Sequence, residues 1–347
     1  MESRLDTLYE TLLEPFKLKE KYNENLNTIF QIGKQFPILS SGCLEYYLKN
    51  EEGRIDVNVQ LCYEQNENLL NIDHRLNKQL IPSKDLQNSI QPILNFWDQW
   101  RQKSFKLHPF IDYVWLVYDI DSKNGILPWY YIMITVDPLS KDIEIRNELI
   151  KQILIQLGVK VSDFKKFSDL FSSFPNDTII RSIGYKTIGN SSNLRLYIVA
   201  KTIENIYEIL KANKWQGDLN QLIEEIKPFS SLSYKFALSI DSKPELGKRV
   251  GIELWPQTES FDQMMQLLVE KNYCAPETLS DLMNWNGRVT YNYPNGILLK
   301  SKSDEPEKGT DPKNYYRYLP YIKFIYSEGQ TMAAKAYLYF SSQEISI

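Results

Sequence analysis

Pairs of strand-like segments alternate with long helix-like segments along this chain, and that order restricts the folds open to it. The alternation repeats about five times, with roughly 65 residues from one strand pair to the next. A short turn separates the two strands of a pair, which predicts hairpins and therefore an antiparallel sheet. About ten antiparallel strands favour closure into a barrel, because closure removes both edges of the sheet. The sequence thus predicts an α+β fold, a closed antiparallel β-barrel of about ten strands surrounded by helices in repeated α-β-β-α units.

The predicted elements follow from hydrophobic periodicity, turn residues and helix caps. Helices are predicted at 2–33, 84–103, 139–157, 161–173, 202–213, 218–227, 258–271 and 276–285. Strands are predicted at 43–48, 54–64, 111–121, 128–137, 178–188, 193–201, 233–241 and 248–255, then at GRVTYNYP, GILLKSK, YIKFIYS and AAKAYLYF. The segment 303–314, rich in charge, Pro and Gly, is predicted to be an exposed loop. No stretch has the composition of an interdomain linker, so residues 1–347 are predicted to form one domain.

Several predicted strands are apolar on one face and carry cations and tyrosines on the other. In LRLYIVAK, Leu194 and Leu196 alternate with Arg195 and Tyr197, and successive strand side chains point to opposite faces. If helices cover the apolar face, the polar face lines the barrel lumen. The residues predicted to point inward are Arg54, Asp56, Asn58, Gln60, Lys186, Arg195, Tyr197, Lys201, Lys235, Ser239, Arg249, Glu253, Trp255, Lys335, Tyr337 and Tyr339. An open sheet with one wet face would give the same alternation.

Charge and cysteine content exclude several classes of protein. The net charge of −4 and the lack of a basic block argue against nucleic-acid binding. No apolar run reaches the ~18 residues of a membrane span, and the amphipathic, acidic start does not resemble a signal peptide. Cys43, Cys62 and Cys274 are widely spaced, which predicts a reduced, cytoplasmic protein without structural zinc or disulfides. With only His74 and His108, histidine metal sites and catalytic triads are not expected.

The order of elements resembles the aromatic prenyltransferases of the ABBA type, the PT barrel, including their indole-prenylating and cyanobactin peptide-prenylating branches. The segment SGCLEYYL offers Gly42 and Glu45 where the indole branch has Gly-x-x-Glu on an early strand. The segments 195–197 (Arg-Leu-Tyr) and 335–337 (Lys-Ala-Tyr) match the cation-x-Tyr form with which the family holds a diphosphate. The resemblance covers the chain as architecture and about twenty residues as motif.

The resemblance implies transfer of an isoprenoid from an allylic diphosphate, dimethylallyl or geranyl, to an aromatic or peptide acceptor in natural-product biosynthesis. Such chemistry needs cations for the leaving diphosphate, aromatic rings around the carbocation and a carboxylate for the acceptor proton. Glu45 is the candidate catalytic residue. Candidate diphosphate-binding residues are Arg54, Lys186, Arg195, Tyr197, Lys235, Arg249, Lys335 and Tyr337. Glu253, Trp255 and Tyr339 are candidates for contacting the acceptor or shielding the cation.

The role of Glu45 has a structural alternative, because a buried carboxylate on the first strand could simply pair with Arg54 on the next one. Asp119 and Asp121 in VYDID are other candidate carboxylates. They directly precede the Ser-Lys-Asn-Gly sequence at 122–125, which favours turn positions for both.

Missing motifs complete the expectations about cofactors and partners. The chain has no D-D-x-x-D, P-loop, G-x-G-x-x-G, G-x-S-x-G or H-E-x-x-H sequence. A diphosphate site built from side-chain cations therefore predicts no metal site and no required cofactor, with magnesium near the diphosphate left open. The expected partners are the donor and the acceptor, without nucleic acid or membrane, for a monomer or weak dimer. Two alternatives remain: a non-catalytic or diverged barrel that binds a peptide or anionic metabolite, and an α+β scaffold protein.

Overall fold

The computed structural model describes most of the chain. The described residues are 5–13, 23–34, 36, 41–49, 55–62, 95–96, 99–100, 102, 104–105, 107–121, 125–134, 143–157, 159, 161–175, 178–188, 191–242, 246–291 and 313–342. Arg54, most of the predicted helix 84–103 and the predicted strand GILLKSK lie outside them. Among the described residues, no helix has both the length and the apolar character needed to cross a membrane.

Helices and strands alternate as the sequence predicts. The helices are α1 (Leu5–Leu13), α2 (Asn23–Gly33), α3 (Ile143–Gln156), α4 (Val161–Ser172), α5 (Ile203–Ala212), α6 (Leu219–Ser230), α7 (Phe261–Glu270) and α8 (Pro276–Met283). The strands are β1 (Ser41–Tyr47), β2 (Ile55–Cys62), β3 (Ile111–Asp121), β4 (Gly125–Ile134), β5 (Ile179–Ile188), β6 (Ser191–Ala200), β7 (Ser233–Ser242), β8 (Leu246–Pro256), β9 (Gly287–Tyr291), β10 (Lys313–Tyr318), β11 (Ile322–Tyr326) and β12 (Ala333–Ser341).

The twelve strands form one curled antiparallel sheet in the order β1-β2-β3-β4-β5-β6-β7-β8-β11-β12-β10-β9. Its first strand also pairs with β12, from Ser41 opposite Ser341 to Tyr47 opposite Lys335. On its other edge β12 pairs with β11 through its first half and with β10 through its second half. The predicted fold class is confirmed as far as an antiparallel curled sheet with helices packed on it.

The pleat of the strands separates two apolar cores. The larger core fills the space between the sheet and the helices, and the ring of Phe340 and the side chains of Leu44 and Ile252 belong to it. A smaller aromatic cluster lies on the opposite, concave face of the sheet and includes Trp115 and Tyr321. Two of the amphipathic helices have side-chain caps: Thr202 and Asn205 form a capping box at the start of α5, and Asp218 accepts from the backbone N–H of Gln221 at the start of α6.

Four predictions need correction. The predicted helix 2–33 contains two helices, α1 and α2, which pack against each other. They approach closely, since a Cβ on Gly33 would lie 2.8 Å from the backbone nitrogen of Asp6. The predicted loop 303–314 overlaps the start of β10, and its other residues lie outside the described part. Asp119 and Asp121 belong to β3 and not to a turn. Lys201 follows the end of β6 and is exposed instead of pointing inward.

Candidate functional site

The concave face of the sheet encloses a cavity of about 570 Å³. Ten of the twelve predicted site residues line it: Glu45, Arg195, Tyr197, Lys235, Arg249, Glu253, Trp255, Lys335, Tyr337 and Tyr339. Arg54 and the side chain of Lys186 lie outside the described residues. The alternation of side chains along each strand therefore placed these ten side chains correctly in one chamber. The role assigned to each of them stays a prediction.

Lys335 is buried at the centre of a three-residue ionic cluster. Its Nζ donates to Glu45 Oε2 at 2.8 Å and to Asp56 Oδ2 at 2.8 Å. The other oxygen of Glu45 accepts a hydrogen bond of 2.9 Å from Asn58 Nδ2. Both oxygens of Glu45 are thus engaged, and its described cation partner is Lys335 on β12. This arrangement has the form of the structural alternative considered for Glu45, with Lys335 as the cation.

The ionic cluster is held in its charged form. Burial alone would raise the pKa of Glu45, but the charges of Lys335 and Lys323 and the hydrogen bonds lower it to about 2. Burial alone would lower the pKa of Lys335, but Asp56 and Glu45 raise it well above its ordinary value. A carboxylate with such a low pKa is a weak base, because it holds a proton poorly at neutral pH.

Glu253 occupies a different environment on β8. Lys323 Nζ lies 3.1 Å from Glu253 Oε1, and the nearby Tyr197 hydroxyl also lowers the pKa of this carboxylate. Glu253 Oε2 is buried and accepts no hydrogen bond from the described residues. Burial raises the pKa of Glu253, and Lys323 and Tyr197 offset only part of that effect. Burial also lowers the pKa of Lys323, whereas the carboxylates around Lys335 raise the pKa of that lysine.

Arg195 lies next to a carboxylate in the same chamber. Its Nε and one Nη donate to the two oxygens of Asp241 at 2.5 and 3.0 Å, and Arg195 and Asp241 face each other across β6 and β7. Burial alone would raise the pKa of Asp241, but Arg195, Arg249 and Lys323 lower it. Arg249 lines the cavity from an exposed position on β8, near its mouth.

A second cationic region lies where β7 begins. Lys235 Nζ sits 4.6 Å from the centre of the Trp255 ring, a cation–π contact. Burial lowers the pKa of Lys235, and the positive charge of Arg181 lowers it further. Arg181 lies at an irregularity in the pairing of β5 with β6, between Ile180 and Ser182.

Nine aromatic side chains complete the wall of the chamber: Tyr47, Tyr113, Trp115, Tyr197, Trp255, Tyr318, Tyr321, Tyr337 and Tyr339. Tyr321 is the centre of this wall, with its ring centroid 4.5 Å from Trp255 and 4.4 Å from Tyr337. The series continues through Tyr339, which contacts Trp115 at 5.7 Å. The ring faces offer a carbocation an apolar surface that is also electron-rich.

The registers of β8, β11 and β12 bring charged residues of three strands next to one another. Lys323 faces Lys335 in the β11–β12 register and Glu253 in the β8–β11 register, which places the paired charges at one level. The described lining carries six cations and four carboxylates, so its formal charge is positive although the chain as a whole carries −4.

Sequence reasoning missed several residues of the lining. Tyr113 and Trp115 alternate along β3 with Asp119, a candidate carboxylate that was expected in a turn, so the alternation alone could have placed all three in the lining. Lys323 also lines the cavity, from β11. The inward position of Arg181 could not be predicted from the alternation along β5, because the irregularity in strand pairing beside this residue interrupts the alternation. The described residues contain no group of three or more His, Cys, Asp or Glu side chains placed to hold a metal ion.

Comparison with solved structures finds proteins of similar fold. The prenyltransferase PriB in its binary complex with product diphosphate is 11% identical, with 97% of this chain and 96% of that chain covered and a TM-score of 0.59. A 6-dimethylallyl tryptophan synthase is 11% identical, with 99% and 97% covered and a TM-score of 0.55. AnaPT from Neosartorya fischeri is 12% identical, with 91% and 80% covered and a TM-score of 0.50. PriB has also been solved in a ternary complex with L-tryptophan and dimethylallyl thiolodiphosphate.

These neighbours are ABBA aromatic prenyltransferases, and the resemblance noted in the sequence is confirmed at the level of the fold. No family model matches the sequence, and no curated protein matches it. At a sequence identity of about 10%, the similarity shows the fold alone. Any activity has to be argued from the residues of this chain.

Proposed function

We propose that this protein, which has the fold of the ABBA aromatic prenyltransferases, transfers an isoprenoid from an allylic diphosphate to an aromatic or peptide acceptor in natural-product biosynthesis. The observation that carries the proposal is a single chamber in which cations and a continuous aromatic wall face each other. Dimethylallyl and geranyl diphosphates are the proposed donors, and the 570 Å³ of the cavity agrees with ligands of that size. We also propose that residues 1–347 act as one domain.

The sheet is proposed to work as a closed barrel around its ligands. Seven residue pairs between β1 and β12 support closure, because they connect the first strand to the last. A closed wall keeps water from the reacting carbon, which matters because water captures an allylic cation.

The donor diphosphate is proposed to lie among the cations of the chamber. Arg195, Lys335, Tyr197 and Tyr337 all line this chamber, and their cation-x-Tyr spacing supports a shared role. Lysine and arginine donors fixed by neighbouring carboxylates are already in position when charge builds up on the leaving oxygen. The aromatic wall then surrounds the allylic carbon, and for Glu45 we propose a supporting role through Lys335.

Turnover is expected to be independent of metal ions, because the proposed diphosphate site consists of side-chain cations. The protein is incubated with dimethylallyl or geranyl diphosphate and an acceptor panel of indoles, phenols and Trp- or Tyr-containing peptides. Mass spectrometry should show a prenylated product at equal rates with and without excess EDTA. Complete loss in EDTA, restored by magnesium, would contradict the metal-free site while leaving prenyl transfer intact. Absence of product with every donor–acceptor pair would contradict the proposed function.

A second candidate function is a diverged barrel that binds a peptide or an anionic metabolite without catalysis. The observation that favours it is the pairing of the chamber cations, because Arg195, Lys323 and Lys335 each contact a carboxylate. Such pairing lowers the positive potential that a diphosphate of charge near −3 would meet. Calorimetry separates the two candidates: tight binding of a diphosphate with no product from any acceptor supports the binding protein.

A further inference from the structure

Two glutamates of the chamber differ in how fully their oxygens are used. Glu45 has both oxygens engaged, by Lys335 and by Asn58. Glu253 is 2% exposed, lines the cavity, and has one oxygen, Oε2, that accepts no hydrogen bond from the described residues. Buried hydrogen-bond acceptors without a partner are rare, because they cost folding free energy. An unpaired oxygen in a cavity is explained if a ligand donates a hydrogen bond to it. A substrate that brings its own N–H or O–H into the chamber supplies one.

We propose that Glu253 is the proton acceptor of the transfer reaction, an inference that rests on the proposed function. Lys323 Nζ holds Oε1 of this carboxylate at 3.1 Å, and Oε2, without a partner among the described residues, is left for the acceptor. The terminal torsion of a glutamate is broad and roughly two-fold, so a small rotation brings Oε2 to the cavity surface. Trp255 lies two residues along β8 on the same face and offers an aromatic acceptor a ring to pack on.

The step balances without any further reactant. The C–O bond of the allylic diphosphate breaks, and its electron pair leaves with the diphosphate oxygen. A π or lone pair of the acceptor forms the new bond to the allylic carbon. The acceptor then releases its N–H, O–H or ring proton to Glu253 Oε2, which later passes it to water. The products are the prenylated acceptor, diphosphate and one proton.

The basicity of the two glutamates agrees with this assignment. Burial raises the pKa of Glu253 above its usual 4.5, whereas the pKa of Glu45 is lowered to about 2. A base with the higher pKa takes a proton more readily, provided that it is still ionised at the working pH. The titratable or charged groups that face Glu253 are Lys323 and Tyr321 from the β11 side, Tyr197 on β6, Lys235 on β7, and Glu45 and Cys43 on β1.

The pH dependence of turnover tests the assignment. Glu253 must be ionised to act. The kcat/KM of the wild type should therefore fall tenfold per pH unit at pH values below the pKa of Glu253, which lies above 4.5. This fall is the acid limb of the pH profile. Glu253→Gln should lower kcat by about 10²–10⁴-fold and abolish this limb. Lys323→Met should move the limb to higher pH, because Lys323 lowers the pKa of Glu253. Glu45→Gln should move it to lower pH, because the charge of Glu45 raises that pKa.

A binding measurement supplies a readout besides turnover. Wild type should bind N-acetyltryptophanamide at least tenfold more tightly than its 1-methyl analogue, and Glu253→Gln should lose most of this preference, because the indole N–H loses a charged acceptor. Thermal unfolding of each variant checks that it is folded.

Wild-type turnover together with an unchanged acid limb in folded Glu253→Gln overturns the inference alone. Equal binding of the two tryptophan probes by wild type also overturns it. Failure of wild type to transfer any isoprenoid overturns the proposed function and the inference together, so the two failures are distinguishable.

Discussion

Lys335 shows at the scale of one residue how strongly the chamber depends on charge compensation. It is 5% exposed and bridges the buried carboxylates of Glu45 and Asp56. Removing one partner of a buried ion pair leaves uncompensated charge in a medium of low polarity, which costs far more than the pair itself contributes.

Lys335→Met is therefore expected to lower the free energy of unfolding by about 3–5 kcal/mol, measured in urea. Two carboxylates would otherwise remain buried without their cation. The control is the triple variant with Glu45→Gln and Asp56→Asn added, which should recover much of the loss. A single variant as stable as wild type would contradict the buried cluster.

The proposed role of Arg195 is tested with pyrophosphate alone. Arg195→Ala should weaken binding by about 1.5–3 kcal/mol, the range for hydrogen bonds to charged groups. Asp241→Asn is the matched control on the neighbouring strand, because it removes the carboxylate that contacts Arg195 and so should strengthen binding of an anion. Calorimetry that shows no loss for Arg195→Ala would remove this residue from the proposed diphosphate site.

At the scale of an element, Gly42 gives the Gly-x-x-Glu segment of β1 a packing reason. A Cβ at this position would lie 2.4 Å from Cζ of Phe340 on β12. The glycine thus lets two paired strands share the space that the aromatic ring fills.

Gly42→Ala should destabilise the fold by about 1–3 kcal/mol, since inserting a methyl group into packed space forces neighbours off their rotamers. Gly247→Ala is the matched control, because its Cβ would meet its nearest neighbour, the carbonyl oxygen of Asp241, at 3.3 Å. Thermal unfolding should rank Gly42→Ala well below Gly247→Ala, and equal stability would argue against the close approach of Phe340.

The alternation of side chains along single strands predicted many of the residues that line the chamber. The contacts between residues of different strands became known only from the pairing of the strands. Alternation alone placed Arg195 and Tyr337 on the inner face. It could not show that Asp241 faces Arg195 or that Glu45 contacts Lys335, because the register between distant strands depends on the whole sheet. The predicted cations Arg195, Lys235, Arg249 and Lys335 therefore line the chamber, but carboxylates from neighbouring strands offset much of their charge.

At the scale of the whole molecule, the sign of charge differs between the protein and its chamber. The chain carries a net charge of −4, while the described lining has six cations and four carboxylates. An anionic donor is thus attracted only once it nears the mouth, where Arg249 is exposed. Such attraction acts within about one Debye length, ~8 Å at physiological ionic strength.

The pairing of β1 with β12 also determines when the chamber can exist during synthesis. The hydrogen bond between Glu45 and Lys335 joins residues 290 positions apart. Hairpins such as β7–β8 can form as soon as they leave the ribosome, but the first strand must wait for the last one to be translated. Bringing such distant segments together costs loop-closure entropy and slows folding. In the meantime β1 presents an unpaired edge beside an apolar face, so the nascent chain is open to aggregation or to a chaperone until β12 has been translated.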